Sequence, residues 1–182
     1  MEVYLIRHTT PVLEPGLIYG RKELLLHDTF PDELATVLQQ LPEHFDAVYS
    51  SPAFRCVELA KEISPDFKMD VRLQELDFGE WEGKTWDTVD QVALQCWMDD
   101  YVNVCVPGGE SMMQMHERIT EFWDELSRET YTRIAIVTHA GVMRLLLASV
   151  RSIALTNIFD IKINYGEVII VSHLLPDPRF VN

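Results

Sequence analysis

Cysteine is scarce in this chain, and Cys56, Cys96 and Cys105 have neither metal-ligand nor redox spacing. They read as free thiols of a reducing cytoplasm, which is the expected location. No apolar run approaches the ~18 residues that cross a bilayer. The opening MEVYLIRHTT lacks a basic leading segment, so its short apolar run reads as a strand ending at Arg7 and not as a secretion signal. Basic residues are few as well: 15 Lys and Arg stand against 29 Asp and Glu, a formal net charge of −14. A chain so acidic repels nucleic acid and anionic membrane, and neither is an expected partner. Any anionic substrate must be held by a local cationic cluster, against the field of the whole molecule.

The rest is ordinary for a globular protein. With 182 residues, the chain is expected to form one domain over residues 1–182. Val3-Tyr4-Leu5-Ile6 is a short, partly β-branched apolar run and reads as a buried strand. Residues 10–30 carry Pro11, Pro15, Gly16 and Gly20 without a sustained period and read as a loop. Pro31 suits the first turn of a helix whose apolar face is Leu34, Val37, Leu38 and Leu41. A strand over 46–50 is broken by Pro52, and a helical stripe follows from Ala53 to Ile63. Further strands are expected near 68–72, 133–138, 157–163 and 167–172, and helices at 86–97, 112–126 and 142–150, before a Pro-rich, irregular tail. Ser111 and Gln114 predict a capping box at the start of the 112–126 helix. The apolar stripe of that helix, Met112 to Leu126, reads as core.

Strands alternating with helices of this length predict an α/β fold, three layers deep (α/β/α) around a mostly parallel sheet. Ligands of such folds bind beyond the carboxyl ends of the strands. That edge should gather Arg7-His8, Ser50-Ser51, His139 and, one short turn onward, Arg55. Two arginines, two histidines and the starts of two helices form a cationic cluster suited to a phosphate dianion. His27, His44, His116 and His173 have no matching partners and take no role. Arg21 and Lys22 are candidates for steering substrate, or simply solvated loop residues.

Four stretches carry a family resemblance: Leu5-Ile6-Arg7-His8, Ser50-Ser51-Pro52-Ala53-Phe54-Arg55, the run from Leu73 to Gly83, and Val137-Thr138-His139-Ala140-Gly141. In this order they resemble the motifs of the histidine phosphatase (phosphoglycerate mutase-like) superfamily. Thr9–Leu26, with Tyr19-Gly20, and Pro107–Ser111 look similar to its alpha-ribazole phosphatase branch. The resemblance implies a phosphomonoesterase that needs no metal or cofactor and acts on a small phosphorylated metabolite, releasing inorganic phosphate. Alpha-ribazole 5′-phosphate, or its cobamide form in cobalamin nucleotide-loop assembly, is the implied substrate. It also implies His8 as nucleophile, with Arg7, Arg55 and His139 on the phosphate oxygens. Glu75 is the implied proton donor, with Glu82 its nearest rival, and Thr9, Tyr19 and Gly20 are implied at the substrate. The chain departs from the pattern twice: Thr9 stands where Gly is usual after Arg-His, and residues 9–26 lack the Asn that touches phosphate in many members.

Other functions remain to be weighed. A broad-specificity phosphatase or a phosphoglycerate mutase-type phosphotransferase would share the motifs, although mutases tend to be longer. A metal hydrolase is disfavoured by arginines that would repel a divalent cation. A non-catalytic phosphate-binding module is the remote alternative, since His8 and Glu75 are both present.

Overall fold

The computed structural model describes residues 1–172. Within them the strands are β1 (Glu2–Arg7), β2 (Ala47–Ser50), β3 (Lys68–Met69), β4 (Arg133–Thr138) and β5 (Val168–Ser172). The α-helices are α1 (Phe30–Leu38), α2 (Phe54–Ile63), α3 (Gln91–Asp99), α4 (Met112–Leu126) and α5 (Ala140–Arg151). The sheet runs β3-β2-β4-β1-β5, with β5 antiparallel to β1 at one edge and the other pairs parallel.

The layers follow from the period of two along the central strands. Val3 and Leu5 of β1, with Ile134 and Ile136 of β4, pack into a core shared with α3, α4 and α5. Tyr4 and Ile6, with Ala135 and Val137, face a second core shared with α1 and α2. Both faces of the sheet are thus covered, which is why β1 and β4 read as continuous apolar runs. The Ser111–Gln114 capping box starts α4 as expected.

Three expected elements differ. The strand near 68–72 stops at Met69, because the Asp70 side chain caps a 3₁₀ turn over Val71–Leu73 by accepting from the Arg72 amide. The helix near 86–97 starts only at Gln91, capped by Asp90, because the side chains of Thr85, Asp87 and Thr88 tie up one another and the local backbone. Residues expected as a strand at 157–163 form a 3₁₀ helix over Leu155–Asp160. Leu155, Ile158 and Ile161 are buried at a spacing of three, the period of that helix and not of a strand. The Pro-rich tail, including His173, lies outside the described residues.

Candidate active site

Register places the site. Arg7 of β1 pairs with Thr138 of β4, and Ser50 of β2 with Val137, so the residues just beyond the three strands share one edge. The His8 amide donates to the Thr138 carbonyl (3.0 Å), and the Ser51 amide to that of Val137 (2.9 Å). The rings of His8 and His139 meet edge to face with centroids 5.2 Å apart.

His8 is 1% exposed. Its Nδ1 lies 2.8 Å from the Thr9 carbonyl, which only accepts, so Nδ1 carries the proton. Nε2 is left with its lone pair, toward which Arg55 Nε donates at 3.3 Å. Burial lowers the His8 pKa well below its ordinary value; the Arg55 and Arg7 charges push the same way, against the Thr9 hydrogen bond. His139 follows similar logic. Its Nδ1 accepts from Arg55 Nη2 (3.2 Å), which leaves Nε2–H to donate to Ser51 Oγ (2.8 Å). Burial, then the repulsion that a protonated His8 would add and the Arg55 charge, lowers its pKa well below the ordinary value as well. The Cys56 thiol sits 3.6 Å from His139 Nε2, and burial pushes its pKa up to about 12, so it stays protonated.

Arg55, in the first turn of α2, is fully buried. The ion pair with Glu58 that its sequence neighbourhood permits does not form; Glu58 pairs with Lys61. Arg55 Nη2 instead donates to the Gly20 carbonyl (2.6 Å) and Nη1 to that of Lys22 (3.0 Å). Gly20 permits this path because a β-carbon there would stand 1.9 Å from the Leu76 carbonyl oxygen. The same strap is held from its other side by Glu82, whose Oε1 accepts from the Arg21 amide (2.7 Å) and Oε2 from the Lys22 amide (2.5 Å). Arg21 is pinned between Asp77 (3.0 Å) and Glu110 (3.2 Å), which occupies its charge within the protein.

Arg7 Nη1 donates to the Ile163 carbonyl (2.7 Å), while its buried Nε has no partner among the described residues. Its guanidinium lies 3.8 Å from the centre of the Tyr165 ring. Tyr165 was not singled out by the sequence, where it is one aromatic residue in a turn before the last strand. Thr9 is fully buried, and its hydroxyl likewise lacks a partner among the described residues. Tyr19 reaches the same edge, its hydroxyl 2.7 Å from that of Tyr165.

Glu75 is half-buried at the start of α5, where its Oε2 accepts from the Gly141 amide (3.1 Å). Helix starts favour such a carboxylate. The backbone of this segment is held by Arg118, which donates to the carbonyls of Glu75 (3.1 Å) and Arg72 (2.5 Å) and pairs with Glu110. Of the aromatic residues nearby, Trp81 and Trp97 are buried in the core, and Trp86 stacks on Trp97 with 40% of its surface exposed. The edge thus offers an unprotonated imidazole nitrogen, two guanidinium groups, a neutral second histidine and a carboxyl group. Such a set can attack, hold and protonate an oxygen ester of phosphate.

The chain as a whole resembles known proteins. The model of the Histidine phosphatase superfamily (branch 1) matches residues 3–181. A Hydrogenobacter thermophilus protein provisionally named phosphoserine phosphatase 2 is 29% identical, over 91% of this chain and 86% of its own length. Adenosylcobalamin/alpha-ribazole phosphatase of Escherichia coli is 26% identical, over 91% of this chain and 87% of its own. In fold, the alpha-ribazole phosphatase of Shigella flexneri superimposes with a TM-score of 0.86 at 23% identity, covering 94% of this chain and 90% of that one.

Proposed function

The chain belongs to the histidine phosphatase superfamily (branch 1) and is a phosphatase, and from that premise we propose that it hydrolyses a small phosphomonoester, without a metal, through a phosphohistidine on His8. The observation that carries this reading is the fixed tautomer of His8. With Nδ1–H bonded to the Thr9 carbonyl, Nε2 is unprotonated; its lone pair accepts from Arg55 Nε (3.3 Å), and attack on phosphorus takes the place of that bond. In the first step Nε2 bonds to phosphorus as the bond from phosphorus to the ester oxygen breaks. That oxygen leaves with a proton from the Glu75 carboxylic acid. In the second step the Glu75 carboxylate takes a proton from water, whose oxygen attacks phosphorus; the P–N bond breaks and inorganic phosphate departs. Arg7 and Arg55 hold the non-bridging oxygens, the unpartnered Arg7 Nε suiting one of them, and His139 joins them by turning its Nε2–H from Ser51 Oγ to the phosphate. Glu75 is preferred to Glu82 as proton donor because its carboxyl group lies at the Gly141 amide, two residues beyond His139, whereas Glu82 holds the loop amides of Arg21 and Lys22. Thr9, Tyr19 and Gly20 border the substrate, and the Thr9 hydroxyl is the candidate to replace the absent loop Asn.

For the substrate we favour alpha-ribazole 5′-phosphate or its cobamide form. This rests on the likeness of Tyr19-Gly20 and Pro107–Ser111 to that branch and on the Escherichia coli relative. A second reading, phosphoserine, has the support of the Hydrogenobacter thermophilus relative. A panel of alpha-ribazole phosphate, phosphoserine, sugar phosphates and 3-phosphoglycerate, scored for phosphate release and for isomer formation, separates these readings. Highest kcat/KM on alpha-ribazole phosphate supports the first; preference for phosphoserine replaces it with the second. Isomer formation in place of hydrolysis would point to a mutase. His8→Ala should be inactive on every substrate.

A further inference from the structure

Two tyrosines from distant segments meet over the two arginines of the site. Tyr165, in the turn before β5, lays its ring on Arg7 at 3.8 Å, and Tyr19, in the loop between β1 and α1, has its ring 5.4 Å from the Arg55 guanidinium carbon. Both separations lie within the range of attraction between a cation and an aromatic face. The hydroxyls of the two rings are bonded to each other at 2.7 Å. Arg7 is otherwise anchored at the Ile163 carbonyl, and Arg55 at the carbonyls of Gly20 and Lys22 on a separate loop and at the ring nitrogens of His8 and His139. Among the described residues, the Tyr19–Tyr165 bond is the side-chain hydrogen bond that joins those loops. Burial, then the bond to Tyr165, raises the Tyr19 pKa, so Tyr19 adds no negative charge beside the arginines.

We propose that Tyr19 and Tyr165 are positioning residues whose hydroxyl–hydroxyl bond fixes the separation of the Arg7 and Arg55 guanidinium groups, and so sets the affinity of the site for a phosphoryl group. A phosphate dianion gains full charge-assisted bonding from two arginines only when they stand at the spacing of its oxygens. Each ring restrains one guanidinium, and the bond makes the two restraints a single device. With Thr9 after Arg-His and no Asn in residues 9–26, the bridge offers a way to order the phosphate side of the pocket. The proposal rests on the reading that Arg7 and Arg55 hold phosphate.

Tyr19→Phe, Tyr165→Phe and the double variant keep both rings over their arginines and remove the bond. The measurements are the competitive inhibition constant of inorganic phosphate, and KM and kcat for p-nitrophenyl phosphate. Each single variant should raise the phosphate inhibition constant and KM by roughly 3–10-fold, the range of one lost hydrogen bond, with kcat little changed. The double variant should match the singles and not multiply them, because all three lack the same bond. Unchanged phosphate affinity in the singles, or multiplied effects in the double, overturns the bridge. Arg7→Lys is the control for the reading beneath it. Weakened phosphate binding in Arg7→Lys upholds that reading, so that unaffected phenylalanine variants sink the bridge alone. Unweakened binding in Arg7→Lys overturns the phosphate reading and the bridge with it.

Discussion

The Gly141 amide donates to the Glu75 carboxylate at 3.1 Å, and a β-carbon on residue 141 would stand 2.1 Å from the other oxygen of that carboxylate. The glycine is therefore the condition for Glu75 to sit at the start of α5. Gly141→Ala should push the carboxyl group away from its place, and the lost proton donor should be felt most where the leaving group is poor. An alkyl phosphate should lose about 10²-fold in kcat/KM, which reports the transfer to His8 and not the later hydrolysis that both substrates share; this is the lower end of general-acid contributions. p-Nitrophenyl phosphate, whose leaving group needs no proton, should lose much less. Equal losses on the two substrates would remove Glu75 from the proton-transfer role.

Glu82 acts on Arg55 at second hand. Its two oxygens hold the amides of Arg21 and Lys22, and the carbonyls of Gly20 and Lys22 hold Arg55. Glu82→Gln leaves one acceptor oxygen and turns an amide donor toward a backbone N–H. The strap should loosen, and kcat/KM should fall about 10-fold, in line with one lost charge-assisted bond. The fall should be alike for alkyl and nitrophenyl esters. Selective loss on the alkyl ester would instead make Glu82 the acid.

The two histidines give the protein a pH signature. Burial first, then neighbouring charges, lowers both pKa values well below the ordinary histidine value of about 6.5. Below that value the unfolded chain takes up protons that the folded one refuses, so stability is full above about pH 6.5 and declines as pH falls toward the folded pKa values. The urea midpoint should drop between about pH 7 and pH 5, and His139→Gln should flatten that drop by removing one of the two sites. The acid limb of activity should lie below the ordinary histidine value and move up in Arg55→Met, where a lowering charge is gone. A limb that stays in place in that variant would mean it reports another group.

Much of the site was legible because strand ends bring distant residues together in a parallel sheet. Arg7-His8, Ser51, Arg55 and His139 end up on one edge since β1, β2 and β4 are parallel and in register. Arg55 is the sharper case. On a helix with Glu58 nearby it could have been a surface ion pair, and local spacing cannot reveal the carbonyls of a strap more than 30 residues earlier in the chain. Tyr165 was hidden for the same reason: its partners Arg7 and Tyr19 are far away in sequence, and a tyrosine in a turn carries no period. Residues 157–163 read as a strand in the sequence, where the structure has a 3₁₀ helix over Leu155–Asp160, because short apolar runs look alike until their spacing of three is matched to burial.

The account stands on a covalent bond between His8 and phosphorus. Rapid acid-free quenching of the enzyme with a ³²P-labelled phosphomonoester, followed by peptide mapping, tests it directly. The account predicts label on the peptide carrying His8, stable to base and labile to acid as a phosphoramidate is, and none in His8→Ala. Turnover at full rate with no label on His8 under these conditions, or label that persists in His8→Ala, would contradict it.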